Sequence, residues 1–210
     1  MEETAKHAHR ETSLYDERKK EERMIMFGNR KKFLLPLAAL MCVALFAASG
    51  PSTDTAHAAH YQSNVPGTVP LYRLYQPTII DHFYTTNISE AQNARQHLGY
   101  NDEGVAARIW PSQASDTVPL YRLYSPGATD HFYTTNSAER NNAISHLGYN
   151  DEGITGYVYP ERGHGGAPLY RLYSSDGTDH FYTMSLAERN NAISHLGYND
   201  EGIVAYVFVP

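Results

Sequence analysis

PLYRLYSPGATDHFYTT, residues 119–135, decides how the chain is read, because versions of it occur three times. PLYRLY begins at Pro70, Pro119 and Pro168, and DHFYT at Asp81, Asp130 and Asp179, each spaced by 49 residues. Residues 119–159 and 168–208 agree at 32 of 41 positions without a gap, and residues 70–110 share 22 of the 41 with both. Self-similarity at a fixed period sets the architecture before any single residue is interpreted.

One copy reads as hairpin, helix and strand. PLYRLY has strand composition, with proline placed where it can open a strand. SPGATD, SSDGTD and QPTIID are turn segments, and DHFYT is the returning strand. Alternation puts Tyr121 and Leu123 on one face, and Leu120, Arg122 and Tyr124 on the other. One of these faces is expected to be core. Arg122 is expected to pair with Asp130 across the hairpin, fixing its register through a bidentate contact. Asn87, Asn136 and Ser185 each stand three residues before a glutamate, which is the capping-box spacing and marks a helix start. The helix is expected to bury a stripe through Ala143, Ile144 and Leu147. Gly148 is expected to cap it in the left-handed region, and Asn150-Asp151-Glu152-Gly153 to turn the chain into a third strand.

The fold class is therefore α+β and β-rich. No copy has the polar outer face of a solenoid cap, so three hairpin–helix–strand repeats closed around a pseudo-threefold axis are expected. A β-trefoil-like fold is the alternative. The repeats occupy 69–111, 118–160 and 167–210, with a lead-in at 59–68 and polar, Gly-containing connectors between copies.

Residues 33–48 form an unbroken apolar run behind Arg30, Lys31 and Lys32, with Ala56-His57-Ala58 beyond it. This describes a secretory signal peptide, so residues 1–58 read as extension plus signal with cleavage after Ala58. The charged residues 1–23 read as an over-long start, with Met24 or Met26 beginning the signal. The remainder from Ala59 has eight Arg, no Lys and fifteen Asp plus Glu, a net charge of −7. Such a chain is a poor partner for nucleic acid, whose phosphates demand Lys and Arg. It also keeps no basic patch for a membrane after cleavage. The single cysteine, Cys42, lies inside the signal, so stability must come from core burial and hydrogen bonding rather than disulfides.

The repeated polar groups suggest several chemistries. His82, His131 and His180 could face an axis as three imidazoles, the ligand set of an open zinc site. A histidine hydrogen-bonded to backbone or to tyrosine explains them better, and no cofactor or metal is expected. Adjacent carboxylates at Asp102-Glu103, Asp151-Glu152 and Asp200-Glu201 could accept from sugar hydroxyls, and Tyr84, Tyr133 and Tyr182 could stack on sugar rings. These twelve residues are the expected ligand contacts. No nucleophile elbow is present, and groups that occur three times in like surroundings suit multivalent binding better than a single catalytic centre.

The pattern PLYRLY…DHFYTT…LGY…EG resembles a triple-repeat domain of unknown function found in secreted bacterial and fungal proteins. The resemblance covers residues 69–210 and implies an accessory module that works beside secreted hydrolases. It brings no catalytic residues. The expectation is a secreted, monomeric, non-catalytic module binding an extracellular glycan or cell-wall polymer. A secreted hydrolase with a site between repeats, or a structural surface protein, are the alternatives.

Overall fold

A computed structural model describes residues 61–210; the signal segment and cleavage site lie outside the described residues. Three copies of one unit follow one another. The first contains β1 (Val69–Gln76), β2 (Asp81–Thr85), α1 (Ile88–His97) and β3 (Asn101–Ile109). The second contains β4 (Val118–Ser125), β5 (Asp130–Thr134), α2 (Ser137–His146) and β6 (Asn150–Val158), and the third β7 (Ala167–Ser174), β8 (Asp179–Thr183), α3 (Leu186–His195) and β9 (Asn199–Val207). In each unit the PLYRLY strand is central, hydrogen-bonded antiparallel to DHFYT on one side and to the third strand on the other. The strands make three separate sheets and no closed barrel, so the β-trefoil alternative does not describe them. No helix among the described residues is long and apolar enough to cross a membrane.

The expected alternation is present, but both faces of each sheet are buried. Leu120 and Tyr133 point into a core shared by all three copies, together with Leu71, Tyr84, Leu169 and Tyr182. Leu123 and Phe132 face the other way, onto Ala143 of α2, flanked by Tyr121 and Tyr149. The helix therefore packs through alanine, which lets it lie close to the sheet. Ile144 and Leu147, expected in the buried stripe, are 37% and 59% exposed. The left-handed cap is found: Gly148 has φ +75°, and Tyr149 N–H closes on Ala143 C=O at 3.2 Å.

Two local readings change. Only half of the capping box forms: Asn136 Oδ1 accepts from the amides of Ala138 and Glu139, whereas the Glu139 carboxylate turns to Thr134 and Arg171. Asn150–Gly153 is not a turn. It is the start of β6, where Arg122 and Leu123 of β4 oppose Asp151, Glu152 and Gly153 of β6. Gly153 supplies the positive φ of +92° that this bulge requires, and Asp151 Oδ1 accepts from its amide.

What joins the copies is side chain to edge strand. DHFYT is an edge, with amides and carbonyls facing away from its only ladder partner. The Tyr133 hydroxyl accepts from Tyr84 N–H at 2.8 Å and donates to Tyr84 C=O at 2.7 Å. Tyr182 does the same to Tyr133, and Tyr84 to Tyr182. The three rings meet edge to face with centroids 5.5 Å apart. Short backbone pairs repeat the pattern between third strands: Trp110 with Tyr157, Tyr159 with Tyr206, and Phe208 with Arg108.

Tyr133→Phe keeps the ring and strands two buried backbone groups, so it should lower unfolding free energy by about 1–3 kcal/mol in a urea titration. A change within experimental error would show that the hydroxyl is not holding the edge.

Candidate functional site

Each DHFYT strand follows a β-branched or threonine residue in the left-handed region: Ile80, Thr129 and Thr178 have φ of +56°, +58° and +53°. Such residues seldom occupy this region, and here it precedes a wholly buried aspartate. Asp81, Asp130 and Asp179 are 0% exposed. One oxygen from each lies within 4.8 Å of the others. Asp81 accepts from His131 N–H at 2.9 Å, has His131 Nδ1 at 2.7 Å, and accepts from the Tyr100 hydroxyl of its own copy. Asp130 holds His180 and Tyr149, and Asp179 holds His82 and Tyr198, in the same manner. Nδ1 of each ring faces the aspartate, and Nε2 is directed away from it.

The three-imidazole zinc arrangement is thus replaced. Each histidine is committed to the aspartate of a neighbouring copy, and among the described residues the aspartates, not the histidines, converge. Their oxygens are already occupied by tyrosine, imidazole and amide donors.

Around every Asp–His contact a charged seam is built from two copies. Arg122 sends Nη1 and Nη2 to Glu90 of the first copy, both at 3.0 Å. Its Nε lies 2.8 Å from Glu152 Oε2, close enough to attract although the N–H is not aimed at that oxygen. Arg171 holds Glu139 and Glu201, and Arg73 holds Glu188 and Glu103. The guanidinium of Arg122 stands 5.2 Å over the Phe83 ring, and His131 packs between Phe83 and Tyr124 at 4.7 and 4.6 Å. The same Glu152 oxygen lies 3.8 Å from His131 Nε2. The expected Arg122–Asp130 pair does not form. The glutamate of the neighbouring helix and the bulge glutamate take its place, because Asp130 is turned inward to His180.

The twelve expected contacts divide three ways. Glu103, Glu152 and Glu201, with His82, His131 and His180, line the seams. Tyr84, Tyr133 and Tyr182 are 1–2% exposed with their hydroxyls engaged, so they offer no stacking face; they are core latches instead. Asp102, Asp151 and Asp200 lie outside the seam, each paired with an arginine on the helix of its own copy, Arg95, Arg140 or Arg189. The residues missed are Glu90, Glu139 and Glu188, assigned to capping alone, and Tyr75, Tyr124 and Tyr173, which flank the histidines. Their signal was present in the sequence: all recur at the 49-residue period.

The electrostatics follow the contacts. Burial raises the carboxyl of Glu90, but hydrogen bonds from Arg122 and Thr85 more than reverse this and leave it below its ordinary value. The same balance lowers Glu139 and Glu188. Burial first, and Asp81 second, push the Tyr100 phenol far above its ordinary value, so it stays a hydrogen-bond donor.

At the seam between the third copy and the first, a cavity of about 540 Å³ opens beside Tyr75, His82, Arg73, Glu103 and Glu188. Its floor offers both donors and acceptors, and its charged groups are partly exposed.

The model of a family described as a domain of unknown function, DUF5648, matches residues 52–110 and 70–208. The chain belongs to that family. No curated protein and no solved structure matches it.

Because the three seam glutamates titrate below 4.5 in the folded protein, their contribution is present above that pH and is lost as pH falls through the lowered values. Melting temperature should drop as pH falls below 4.5, and the triple variant E90Q/E139Q/E188Q should flatten that drop. An equally steep drop in the variant would contradict the assignment.

Proposed function

We propose that the protein is a secreted, non-catalytic glycan-binding module, its three copies closed around a pseudo-threefold axis with a binding seam between each pair. One observation carries the reading. Each seam places an aromatic ring beside an arginine held between two partly exposed glutamates, a surface that offers hydroxyl donors, hydroxyl acceptors and an apolar face at once. Sugars need that mixture, with pyranose C–H faces against the ring and hydroxyls on the carboxylates. Three like seams on one body convert weak single-site affinity into avidity for a polymer. Extracellular wall polysaccharide fits this geometry, and a secreted hydrolase acting on the same polymer fits as companion.

The contacts are revised accordingly. Glu103, Glu152, Glu201 and the three seam histidines are retained, and Tyr75, Tyr124 and Tyr173 take over the stacking role.

Retention on insoluble wall polysaccharides, followed by a glycan array, tests this. The wild-type protein should be retained. The single variant Glu152→Gln should weaken retention only in part, whereas E103Q/E152Q/E201Q should weaken it at least about tenfold, as loss of multivalency implies. No binding to any glycan would sink the proposal, and turnover of a bound glycan would replace a binding module with a hydrolase.

A further inference from the structure

The three seams are not equal. At two of them a threonine hydroxyl closes the wall: Thr86 Oγ1 donates to Thr155 C=O at 3.1 Å, and Thr135 Oγ1 to Val204 C=O at 3.2 Å. In the third copy the equivalent residue is Met184, and Ala106 stands where Thr155 and Val204 stand. Methionine has no donor, so the bond cannot form between the third copy and the first. At this same seam a second cavity of about 670 Å³ opens, sharing Arg73, Glu103 and Glu188 with the one already described. Met184, Val105 and Ile203 line it, with Tyr206 and Arg162. Val105 and Ile203 are 36% and 49% exposed. The described part of the lead-in joins this seam, where Gln62 N–H donates to Gly165 C=O and Val209 N–H to Gln62 C=O.

Chemistry narrows the occupant. The lining side chains include two arginines, Arg73 and Arg162, and two glutamates, Glu103 and Glu188, so their charges balance and favour a neutral ligand over a uronic or sialic acid. The volume falls within the range of small-molecule sites, about 300–1,000 Å³. Met184, Val105 and Ile203 give the cavity an apolar part beside its Arg and Glu side chains. An unsubstituted sugar would leave that apolar part uncovered. An acetamido group matches both, its C=O and N–H meeting the Arg and Glu side chains and its methyl meeting the apolar part. Methionine is the side chain best able to adjust to such a substituent.

Resting on the glycan reading, we infer that the seam between the third copy and the first is a single specialised subsite for a neutral oligomer of N-acetylated amino sugars, an extension found at one of the three repeated contacts. The test is isothermal titration of the full chain with chitotriose and with cellotriose, for the wild-type protein and for Met184→Thr. The variant restores the residue that the other two copies carry, so it should fold with an unchanged or higher melting temperature. Wild type should bind one chitotriose per chain at least tenfold more tightly than cellotriose, and Met184→Thr should lose that preference. Equal affinity for the two trisaccharides, a stoichiometry of three, or a preference that survives in Met184→Thr would each overturn the subsite. So would failure of both trisaccharides to bind. The broader glycan reading survives all four results and falls only if the polysaccharide and array measurements are also empty.

Discussion

A buried carboxylate that takes hold of its neighbour's strand is the contact on which the rest depends. Asp81, Asp130 and Asp179 are wholly enclosed and approach one another within 4.8 Å. Carboxylates so placed are costly unless every lone pair is used, with a penalty of several kcal/mol per uncompensated ion. Each is supplied with a tyrosine hydroxyl from its own copy, and an imidazole and a backbone amide from another. The amide belongs to an edge strand that has no ladder on that side. The second free amide of the same strand, two residues on, is taken by a tyrosine from the remaining copy. Each edge is thus completed by one side chain from each of the other two copies. A single copy therefore leaves both its carboxylate and its edge unsatisfied.

This arrangement explains what sequence could and could not reveal. The hairpin, the helix start at Asn136, the cap at Gly148 and the third strand were legible because each depends on residues close in the chain. The alternation of PLYRLY was also legible, but not that both faces are buried, since that follows from how sheets meet. Partner choice was the least legible. Arg122 reaches Glu90 at a separation of 32 residues and Arg73 reaches Glu188 at 115. In a chain of near-identical copies, a pairing within one copy and a pairing between copies have the same residue types. Only geometry distinguishes Arg122–Asp130 from Arg122–Glu90. The Asn-Asp-Glu-Gly segment failed for a related reason: turn residues also make bulges, and the bulge here aims Glu152 at Arg122.

Repetition also separates scaffold from site. The Asp, His, Tyr and Arg of the seams recur unchanged, as interlocking demands. Divergence at the seam of the third copy with the first, where Met184 replaces threonine, falls outside the Asp–His and tyrosine contacts. The wall of this cavity can therefore differ while the Asp–His and tyrosine contacts that hold the copies together stay the same.

Native-state hydrogen exchange of the full chain tests the interlock most directly. The amides of His82, Tyr84, His131, Tyr133, His180 and Tyr182 lie on strand edges yet are held by side chains of other copies. The account predicts that all six exchange only through global unfolding, as slowly as the central-strand amides of Leu71, Leu120 and Leu169. Exchange at the rate of an open sheet edge, in any one copy, would contradict it.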